Sequence, residues 1–213
     1  MKSVLVTGGT VRIGAAISRY FSERGWKVLT SSHRGDSRAD IVADLSGPTG
    51  VAQLYSKALE LLGGSPPDVL VNNAALFTGS RDDIDAVNRS APEKLTILMA
   101  GRETGRGAVV NILDSCVFRP APEGDYEISK AGLMRHTRKA ALLFADTLRV
   151  NAVAPGPVLP PVDVREKAGA TLLGKPAPED VAAAVFYLAQ ASATTGCVIP
   201  VDGGQALVEE SWR

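Results

Sequence analysis

Residues 3–14 read SVLVTGGTVRIG, and this stretch decides the fold. A short apolar strand runs into a turn with Gly8 and Gly14, and an amphipathic helix follows. Glycines let the backbone approach a pyrophosphate, and the start of a helix offers free N–H groups with a partial positive charge. An ordinary strand-to-helix turn is the simpler alternative, but the order of strand, glycines and helix favours a dinucleotide site. Arg12 stands where a third glycine often sits.

Apolar runs alternate with helical patterns along the rest of the chain. Runs that predict buried strands lie near residues 3–7, 27–31, 41–43, 68–72, 108–113, 148–153 and 197–201. Helical patterns lie near residues 51–62, 91–100, 126–145 and 179–190. This alternation predicts an α/β fold, a Rossmann-type doubly wound parallel sheet of about seven strands with helices on both faces. Residues 1–213 are expected to form a single domain, since this length suits one α/β unit.

The amino-acid composition limits the kinds of binding partner and the cellular compartment that we expect. The formal net charge is zero, so neither nucleic acid nor an acidic membrane surface is an expected partner. Cys116 and Cys197 are the two cysteines, too few for a disulfide scaffold, which favours a reducing compartment. No apolar run reaches membrane-spanning length, and the N-terminus does not have the pattern of a signal peptide. We therefore expect a cytoplasmic protein that acts on a small molecule, with no metal site.

Tyr126 and Lys130 are four residues apart, so a helix places them on one face. A lysine held beside a tyrosine favours the phenolate, which makes the phenol a better acid. A Tyr-x-x-x-Lys pair is common, and a surface pair is the simpler interpretation. Together with a dinucleotide site at the other end of the chain, it indicates hydride transfer with Tyr126 as the proton donor.

Eight motifs in order carry a family resemblance: Thr7-Gly8 with Gly14, Asp44-Leu45, Asn72-Asn73-Ala74, Asn88, Tyr126 with Lys130, Asn151, Pro155-Gly156 and Val201-Asp202-Gly203-Gly204. Through them the chain resembles the short-chain dehydrogenase/reductase family over almost its full length. The resemblance implies that Tyr126 donates or accepts the proton, and that Lys130 holds the nicotinamide ribose and lowers the Tyr126 pKa. It implies a water relay at Asn88, and a place for Asn73 at the sheet centre beside the cofactor.

At three positions the chain departs from the commonest pattern of this family. At these positions it resembles the pteridine reductase branch of the family, which includes dihydromonapterin and dihydrofolate reductases. Asp114 replaces a serine three residues after Asn111, Arg12 lies in the glycine turn, and Phe77 follows the Asn72 motif. The resemblance implies an NADPH-dependent reductase of a pterin-like C=N bond, with Asp114, Tyr126, Lys130 and Asn88 as catalytic residues. Rival interpretations are a carbonyl reductase and a non-catalytic NADP(H)-sensing protein.

The chemistry of the three residues fits a pterin. A serine hydroxyl suits a ketone because it donates to a developing alkoxide, whereas a C=N bond needs a proton on the ring nitrogen. Asp114 can feed that proton or accept hydrogen bonds from the amino-pyrimidine edge, and it raises the Tyr126 pKa in opposition to Lys130. Phe77 can stack on the ring, and Arg12 can reach a cofactor phosphate and the substrate.

Each of these three residues has a simpler interpretation. An Asp after a strand is often a turn or helix cap, and Ser115 takes the serine role if the alignment slips by one residue. The Phe77 side chain can serve ordinary packing without contact to a substrate. Arg12 alone is typical of a helix surface. The hypothesis therefore rests on the occurrence of all three together.

Cofactor choice is predicted from the end of the second strand. An acidic residue there binds the ribose diol of NAD, but this chain has SSHR at residues 31–34 and no acid before Asp36. Arg34 can clamp a 2′-phosphate, with His33 and serines in support, so NADPH is expected. The full set of predicted cofactor contacts is Gly8, Arg12, Ile13, Gly14, Ser32, His33, Arg34, Asp44, Leu45, Asn73, Ala74, Tyr126, Lys130, Pro155, Gly156 and Val158.

Predictions on assembly and on the substrate side come mainly from the resemblance. It implies a homotetramer or dimer, built through the helix near Tyr126 and the helix before it. The apolar residues at 142–144 are expected either in such an interface or in the core, namely Leu142, Leu143 and Phe144. Trp212 can pack on a neighbouring subunit. Residues 159–173 form a lid candidate. Predicted substrate contacts are Arg12, Phe77, Asp114 and Tyr126.

Overall fold

The structure is a computed structural model that describes residues 1–33, 35, 38–103, 105–159 and 171–211, without the side chains of 209–211. Predictions that concern Arg34, Trp212 and most of the lid candidate lie outside the described residues.

One parallel sheet of seven strands forms the centre of the described chain, in the order β3-β2-β1-β4-β5-β6-β7. The strands are β1 Ser3–Val6, β2 Lys27–Ser32, β3 Ile41–Val42, β4 Val69–Asn72, β5 Gly107–Ile112, β6 Leu148–Pro155 and β7 Val198–Val201. The strand order reverses between β1 and β4, where Val6 pairs with Val71. In doubly wound sheets this switch point opens the crevice at the carboxyl ends of the strands in which ligands bind.

Helices cover both faces of the sheet. They are α1 Arg12–Ser22, α2 Gly50–Leu61, α3 Arg81–Asp85, α4 Ala91–Ala100, α5 Gly124–Leu143, α6 Pro178–Gln190 and α7 Gln205–Ser211, with a π-helical turn at Ala86–Ser90 and a 3-10 turn at Ser115–Phe118. Alternate strand residues face opposite ways. One set, such as Leu70 and Val109, packs with α2, α4 and α5, and the other set, such as Val71, packs with α1 and α6.

The predicted α/β fold, a doubly wound parallel sheet with helices on both faces, is confirmed. The long predicted helices agree with the structure to within about two residues at each end, as expected for helix boundaries. The short elements α3, α7 and the two tight turns were not predicted. Among the described helices, none is both long and apolar enough to cross a membrane.

Candidate active site

The turn after β1 forms a cradle of backbone. Gly8 has a φ of +61°, in the left-handed region that favours glycine. A Cβ atom on Gly14 would collide with the carbonyl oxygen of Gly8, so only glycine fits where α1 passes this turn. The N-cap of α1 is Val11, which caps no N–H with its side chain. The first turn of α1 therefore presents N–H groups of the kind that bind phosphate.

Asn73 ties this turn to the end of β4. Its Nδ2 donates to the carbonyl oxygens of Thr7 at 2.9 Å and Gly8 at 3.0 Å. In return, Thr7 Oγ1 accepts from the N–H groups of Asn73 and Ala74, both at 3.0 Å. Asn73 thus lies at the sheet centre beside the glycine turn, as the family resemblance implied, and Ala74 is next to it. Their contact with a cofactor stays a prediction. Ile13 and Val158 lie in one apolar cluster on the α1 side of the sheet.

Residues of the predicted adenosine end meet at the carboxyl end of β2. Ser32 ends β2 and the exposed His33 follows it. The hydroxyl of Ser46 holds the pKa of Asp44 below its usual value, and the nearby His33 imidazole lowers it further. The Ala43 N–H donates to the Ser32 carbonyl at 2.9 Å, so His33 and Asp44, the residues that follow them, lie at the same edge of the sheet, and Leu45 is buried.

Asp114 uses its two carboxylate oxygens for two different purposes. Oδ1 accepts from the Cys116 N–H at 2.8 Å and caps the 3-10 turn that follows β5. Oδ2 accepts from the Tyr126 hydroxyl at 3.2 Å. Ser115 Oγ instead donates to Gln205 Oε1 at 3.1 Å, at the start of α7. Asp114, not Ser115, therefore lies beside the phenol, and the cap and the site contact coexist in one side chain.

Lys130 lies one helical turn after Tyr126 on α5, as the spacing predicted. Its side chain is buried, and Nζ donates to the carbonyl oxygen of Ile112 at 2.9 Å. Nζ is 5.7 Å from the centroid of the Tyr126 ring. The bond to β5 fixes the ammonium at the carboxyl end of the sheet beside the phenol.

Burial determines the protonation of both groups. Burial raises the pKa of the Tyr126 phenol well above its usual value, and the Asp114 carboxylate raises it further. Burial lowers the pKa of Lys130 to about 8, while the Asp114 carboxylate acts in the opposite direction. The Tyr126 pKa thus shifts in the direction predicted for Asp114 and against the direction predicted for Lys130. The physical reason is that both the ring and the ammonium lose water in this site.

The Phe77 ring packs against the phenol ring of Tyr126. Its ring centroid is 4.8 Å from that of Tyr126, at an interplanar angle of 57°. Half of Phe77 remains exposed, so one part of the ring packs on Tyr126 and the rest faces solvent. Arg12 is also exposed at the rim of the glycine turn and has a φ of +52°.

Asn88 is buried in the π-helical turn before α4. Its Oδ1 accepts from the Leu76 N–H at 2.8 Å, and its Nδ2 donates to the Leu76 carbonyl at 2.9 Å and to Ser129 Oγ at 3.1 Å. Protein groups therefore engage both ends of the amide, and the side chain holds the backbone just before Phe77. The predicted water relay at Asn88 stays a prediction.

Residues 156–159, which follow β6, lie at the carboxyl end of the sheet. The Gly156 N–H donates to the Val201 carbonyl at 3.0 Å, and the Val158 N–H donates to the Gly156 carbonyl at 2.8 Å. Pro155 is the last residue of β6. These bonds place the predicted Pro155, Gly156 and Val158 at the carboxyl end of the sheet, on the same edge as Tyr126. Of the lid candidate, residues 160–170 lie outside the described part of the chain.

Two residues that sequence reasoning missed contact the site. Ser129 Oγ accepts a hydrogen bond from Asn88, and Gln205 Oε1 accepts a hydrogen bond from the Ser115 hydroxyl. Ser129 lies within the Tyr126 motif, three residues after the tyrosine, where a helical side chain reaches back to the preceding turn. That spacing is the signal that could have found it. Nothing comparable marks Gln205, because its contact joins residues 90 positions apart.

Comparison with known proteins agrees with this geometry. The sequence model of the family described as enoyl-(acyl carrier protein) reductase matches residues 12–206, most of the chain. The chain belongs to the short-chain dehydrogenase/reductase family. A 3β-hydroxysteroid dehydrogenase of Eggerthella lenta, a member of this family, is 33% identical over 97% of the chain and 94% of that protein.

Solved structures in the family extend the comparison. The FolM alternative dihydrofolate reductase 1 of Brucella canis, complexed with NADP, is 33% identical, with a TM-score of 0.85 over 97% of this chain and 94% of that one. The 3α-hydroxysteroid dehydrogenase of Pseudomonas sp. B-0831, complexed with NADH, is 25% identical, with a TM-score of 0.86 over the whole of both chains. The predicted family and the predicted nicotinamide-dependent oxidoreductase are confirmed.

Proposed function

We propose that the protein is an NADPH-dependent reductase of a C=N bond in a pterin-like heterocycle, such as a dihydropteridine, dihydrofolate or dihydromonapterin. One observation carries the proposal: the Asp114 carboxylate accepts a hydrogen bond from the Tyr126 hydroxyl at 3.2 Å. A carboxylate is an acceptor, so it is a poor partner for a developing alkoxide and a good partner for the N–H groups of an amino-pyrimidine. Ser115, the alternative hydroxyl, bonds to Gln205.

The proton has a defined route in this proposal. A bound nicotinamide cofactor would supply the hydride for the ring carbon of the C=N bond, and the ring nitrogen would then need one proton. Tyr126 and Asp114 share a hydrogen bond, so the pair can deliver that proton and recover it from solvent through the carboxylate. The raised pKa of Tyr126 keeps the phenol protonated at neutral pH, but it also makes the phenol a weaker acid than an ordinary tyrosine.

Lys130 holds its charge for the cofactor. Below its pKa of about 8 the ammonium is protonated, and one of its three donors is taken by the Ile112 carbonyl. The other two are available for the hydroxyls of the nicotinamide ribose, the role that the family resemblance implies for Lys130. Phe77 forms an apolar wall for a flat ring beside Tyr126, and the exposed Arg12 supplies a cation at the glycine turn.

The choice of NADPH rests on the chain's own residues. Ser32 and His33 lie at the end of β2, where no acidic residue precedes Asp36 in the sequence. A carboxylate at this place would repel a 2′-phosphate, whereas hydroxyl, imidazole and guanidinium groups bind it. The FolM structure with NADP is consistent with this choice, although the family also includes a structure with NADH.

A carbonyl reductase is the second candidate. Its support is the 33% identity to a 3β-hydroxysteroid dehydrogenase, a protein named for the oxidation of a hydroxyl group. It requires a hydroxyl donor at the position of Asp114, or a turn of Ser115 away from Gln205.

The test is the loss of NADPH absorbance with dihydrobiopterin, dihydromonapterin, dihydrofolate and a β-ketoester as substrates. The proposal expects turnover of at least one pterin that disappears in Asp114→Ala. Turnover of the β-ketoester alone would assign the protein to the carbonyl reductases. Binding of NADPH without turnover of any substrate would instead favour a sensing role.

A further inference from the structure

We infer that Ser129 is a positioning residue that couples the aromatic wall at Phe77 to the proton donor Tyr126. This inference deepens the proposed function and rests on it for the choice of substrate. Ser129 does not touch the expected substrate or cofactor positions, so its effect passes through other residues.

A continuous chain of hydrogen bonds carries the coupling. Ser129 Oγ donates to the carbonyl oxygen of Tyr126 at 2.6 Å and accepts from Asn88 Nδ2 at 3.1 Å. The Asn88 amide then holds both backbone groups of Leu76, at 2.8 Å and 2.9 Å. Phe77 is the next residue, and its ring returns to pack on Tyr126. Backbone and ring contacts thus close a loop that includes both aromatic residues.

Burial makes this path stronger than the alternatives. Ser129 and Asn88 are each 1% exposed, so water does not compete for their bonds, whereas residues 77–80 are all exposed. The ion pair of Arg81 with Asp125 at 3.7 Å also joins this segment to α5, but its side chains are 75% and 42% exposed. Exposed pairs contribute little. The buried bonds at Leu76 therefore hold the residue before Phe77 more firmly than this exposed ion pair does.

Removal of the Ser129 hydroxyl breaks the coupling without leaving a buried polar group unpaired. In Ser129→Ala, Asn88 Nδ2 keeps its hydrogen bond to the Leu76 carbonyl. The Tyr126 carbonyl still lies within α5, where the helix backbone offers it an N–H donor. The helix also retains its propensity, because alanine is a better helix former than serine. We therefore expect a folded protein in which Phe77 and Tyr126 are less well aligned.

The kinetic test uses dihydrobiopterin with NADPH. Ser129→Ala is expected to raise the KM for dihydrobiopterin about tenfold, since small misplacements of a bound ring are costly, with little change in the Kd of NADPH. In a Phe77→Ala background the same substitution is expected to have no further effect on KM, because coupled residues are not additive. Additive losses in this double-mutant cycle would mean that Ser129 acts independently of Phe77 and would overturn the inference.

Thr96→Val is the matched control. Thr96 also carries a buried hydroxyl on a helix, and it donates to the Pro92 carbonyl at 2.7 Å within α4; no hydrogen bond joins Thr96 to Phe77, Tyr126 or Asp114 in the described part of the chain. Its loss is expected to leave the KM for dihydrobiopterin unchanged. An equal rise of KM in both variants would reduce the Ser129 effect to general destabilisation and contradict the inference.

Hydrogen exchange separates this inference from the proposed function. The Leu76 N–H should exchange faster in Ser129→Ala than in the wild type or in Thr96→Val, with or without a substrate. If the wild type turns over no pterin but this exchange rises, the proposed function fails and the coupling stands. If the exchange at Leu76 is unchanged in Ser129→Ala, the coupling fails whatever the substrate.

Discussion

At the scale of single residues, the site combines strain, burial and shared hydrogen bonds. Arg12 has a φ of +52°, a left-handed conformation that costs a residue with a Cβ atom about 1 kcal/mol. Glycine adopts it freely, which fits a position where a third glycine often sits. Strain of this kind persists where the side chain has a use, so the arginine in place of glycine supports a role for its guanidinium.

Arg12→Gly and Arg12→Ala separate the strain from the charge. Both remove the guanidinium, and only glycine relieves the backbone. We expect Arg12→Gly to be more stable than Arg12→Ala by about 1 kcal/mol in urea unfolding, with NADPH binding weakened equally in both. Equal stability of the two variants would show that the backbone relaxes without glycine and that no strain is stored at Arg12.

The Lys130 pKa of about 8 gives a pH prediction. Protonated lysine predominates below that pKa, so NADPH affinity that depends on the ammonium should fall as the pH rises through about 8. The Asp114 carboxylate stabilises the ammonium, so Asp114→Asn should lower the Lys130 pKa further. The measurement is an NMR titration of the lysine side chains, assigned with Lys130→Met. A pKa that rises in Asp114→Asn would contradict the arrangement described.

The sequence predicted which side chains come together, but it did not predict their hydrogen bonds or their burial. Tyr126 and Lys130 were predicted from their spacing and Asp114 from the family resemblance, and the three do come together. For Asp114 the sequence left two uses open, a cap or a site residue, because both depend on which oxygen points where. The structure has one oxygen in each use. Likewise, the shift of the Tyr126 pKa follows from tertiary burial, which residue spacing does not encode.

At the scale of elements, the contact between α1 and the turn after β1 is the tightest constraint on the cofactor cradle. The Gly14 site has no room for a Cβ atom because the Gly8 carbonyl oxygen lies against it. A methyl group there would push α1 away from the turn and change the direction of its first N–H groups.

Gly14→Ala is therefore expected to destabilise the protein by about 2 kcal/mol and to weaken NADPH binding at least tenfold. Gly101→Ala is the control, since a Cβ atom there would make an ordinary contact of 3.5 Å with the Leu98 carbonyl at the end of α4. Thermal unfolding and NADPH fluorescence titration measure the two effects. Tight NADPH binding by a stable Gly14→Ala variant would refute the cradle.

Helices and strands long enough to show a repeating or continuous apolar pattern could be predicted from the sequence, whereas the short helices and turns could not. The strands of the sheet centre are continuous apolar runs, and α1 has a clear amphipathic period. The segment from Arg81 to Ser90 reads RDDIDAVNRS, with too few apolar residues for a periodic signal. Its α3 helix and π-helical turn form because Ser80 caps the start and Asn88 bonds to Leu76. Such tertiary and capping bonds decide short elements.

At the scale of the whole molecule, the sheet order brings residues distant in sequence to one crevice. The switch point between β1 and β4 places the glycine turn beside Asn73, and β5 and α5 add Asp114 and Tyr126. The single domain, the cytoplasmic location and the oligomeric state stay predictions. Phe144, one candidate for a subunit contact, packs on the core, whereas Leu142 and Leu143 are 83% and 64% exposed.

The exposed leucines give a test of assembly. Ile97 and Leu98 on α4 are exposed as well, and apolar side chains on neighbouring helices are typical of a contact between subunits. We expect a homo-oligomer in light scattering after gel filtration, and a smaller species in Leu142→Glu. Val42→Glu, at an exposed position on β3, should keep the wild-type mass. A wild-type monomer, or an unchanged mass in Leu142→Glu, would contradict this prediction.

The central claim is that the Asp114 carboxylate selects a C=N substrate over a ketone. The most direct measurement is the ratio of kcat/KM for dihydrobiopterin to kcat/KM for a β-ketoester, in the wild type and in Asp114→Ser. Serine can keep the cap while it replaces an acceptor with a hydroxyl donor. We predict that the wild type prefers the pterin, and that the substitution lowers pterin turnover about 100-fold while ketone turnover rises. A wild type that prefers the ketone, or a ratio unchanged by Asp114→Ser, would contradict the claim.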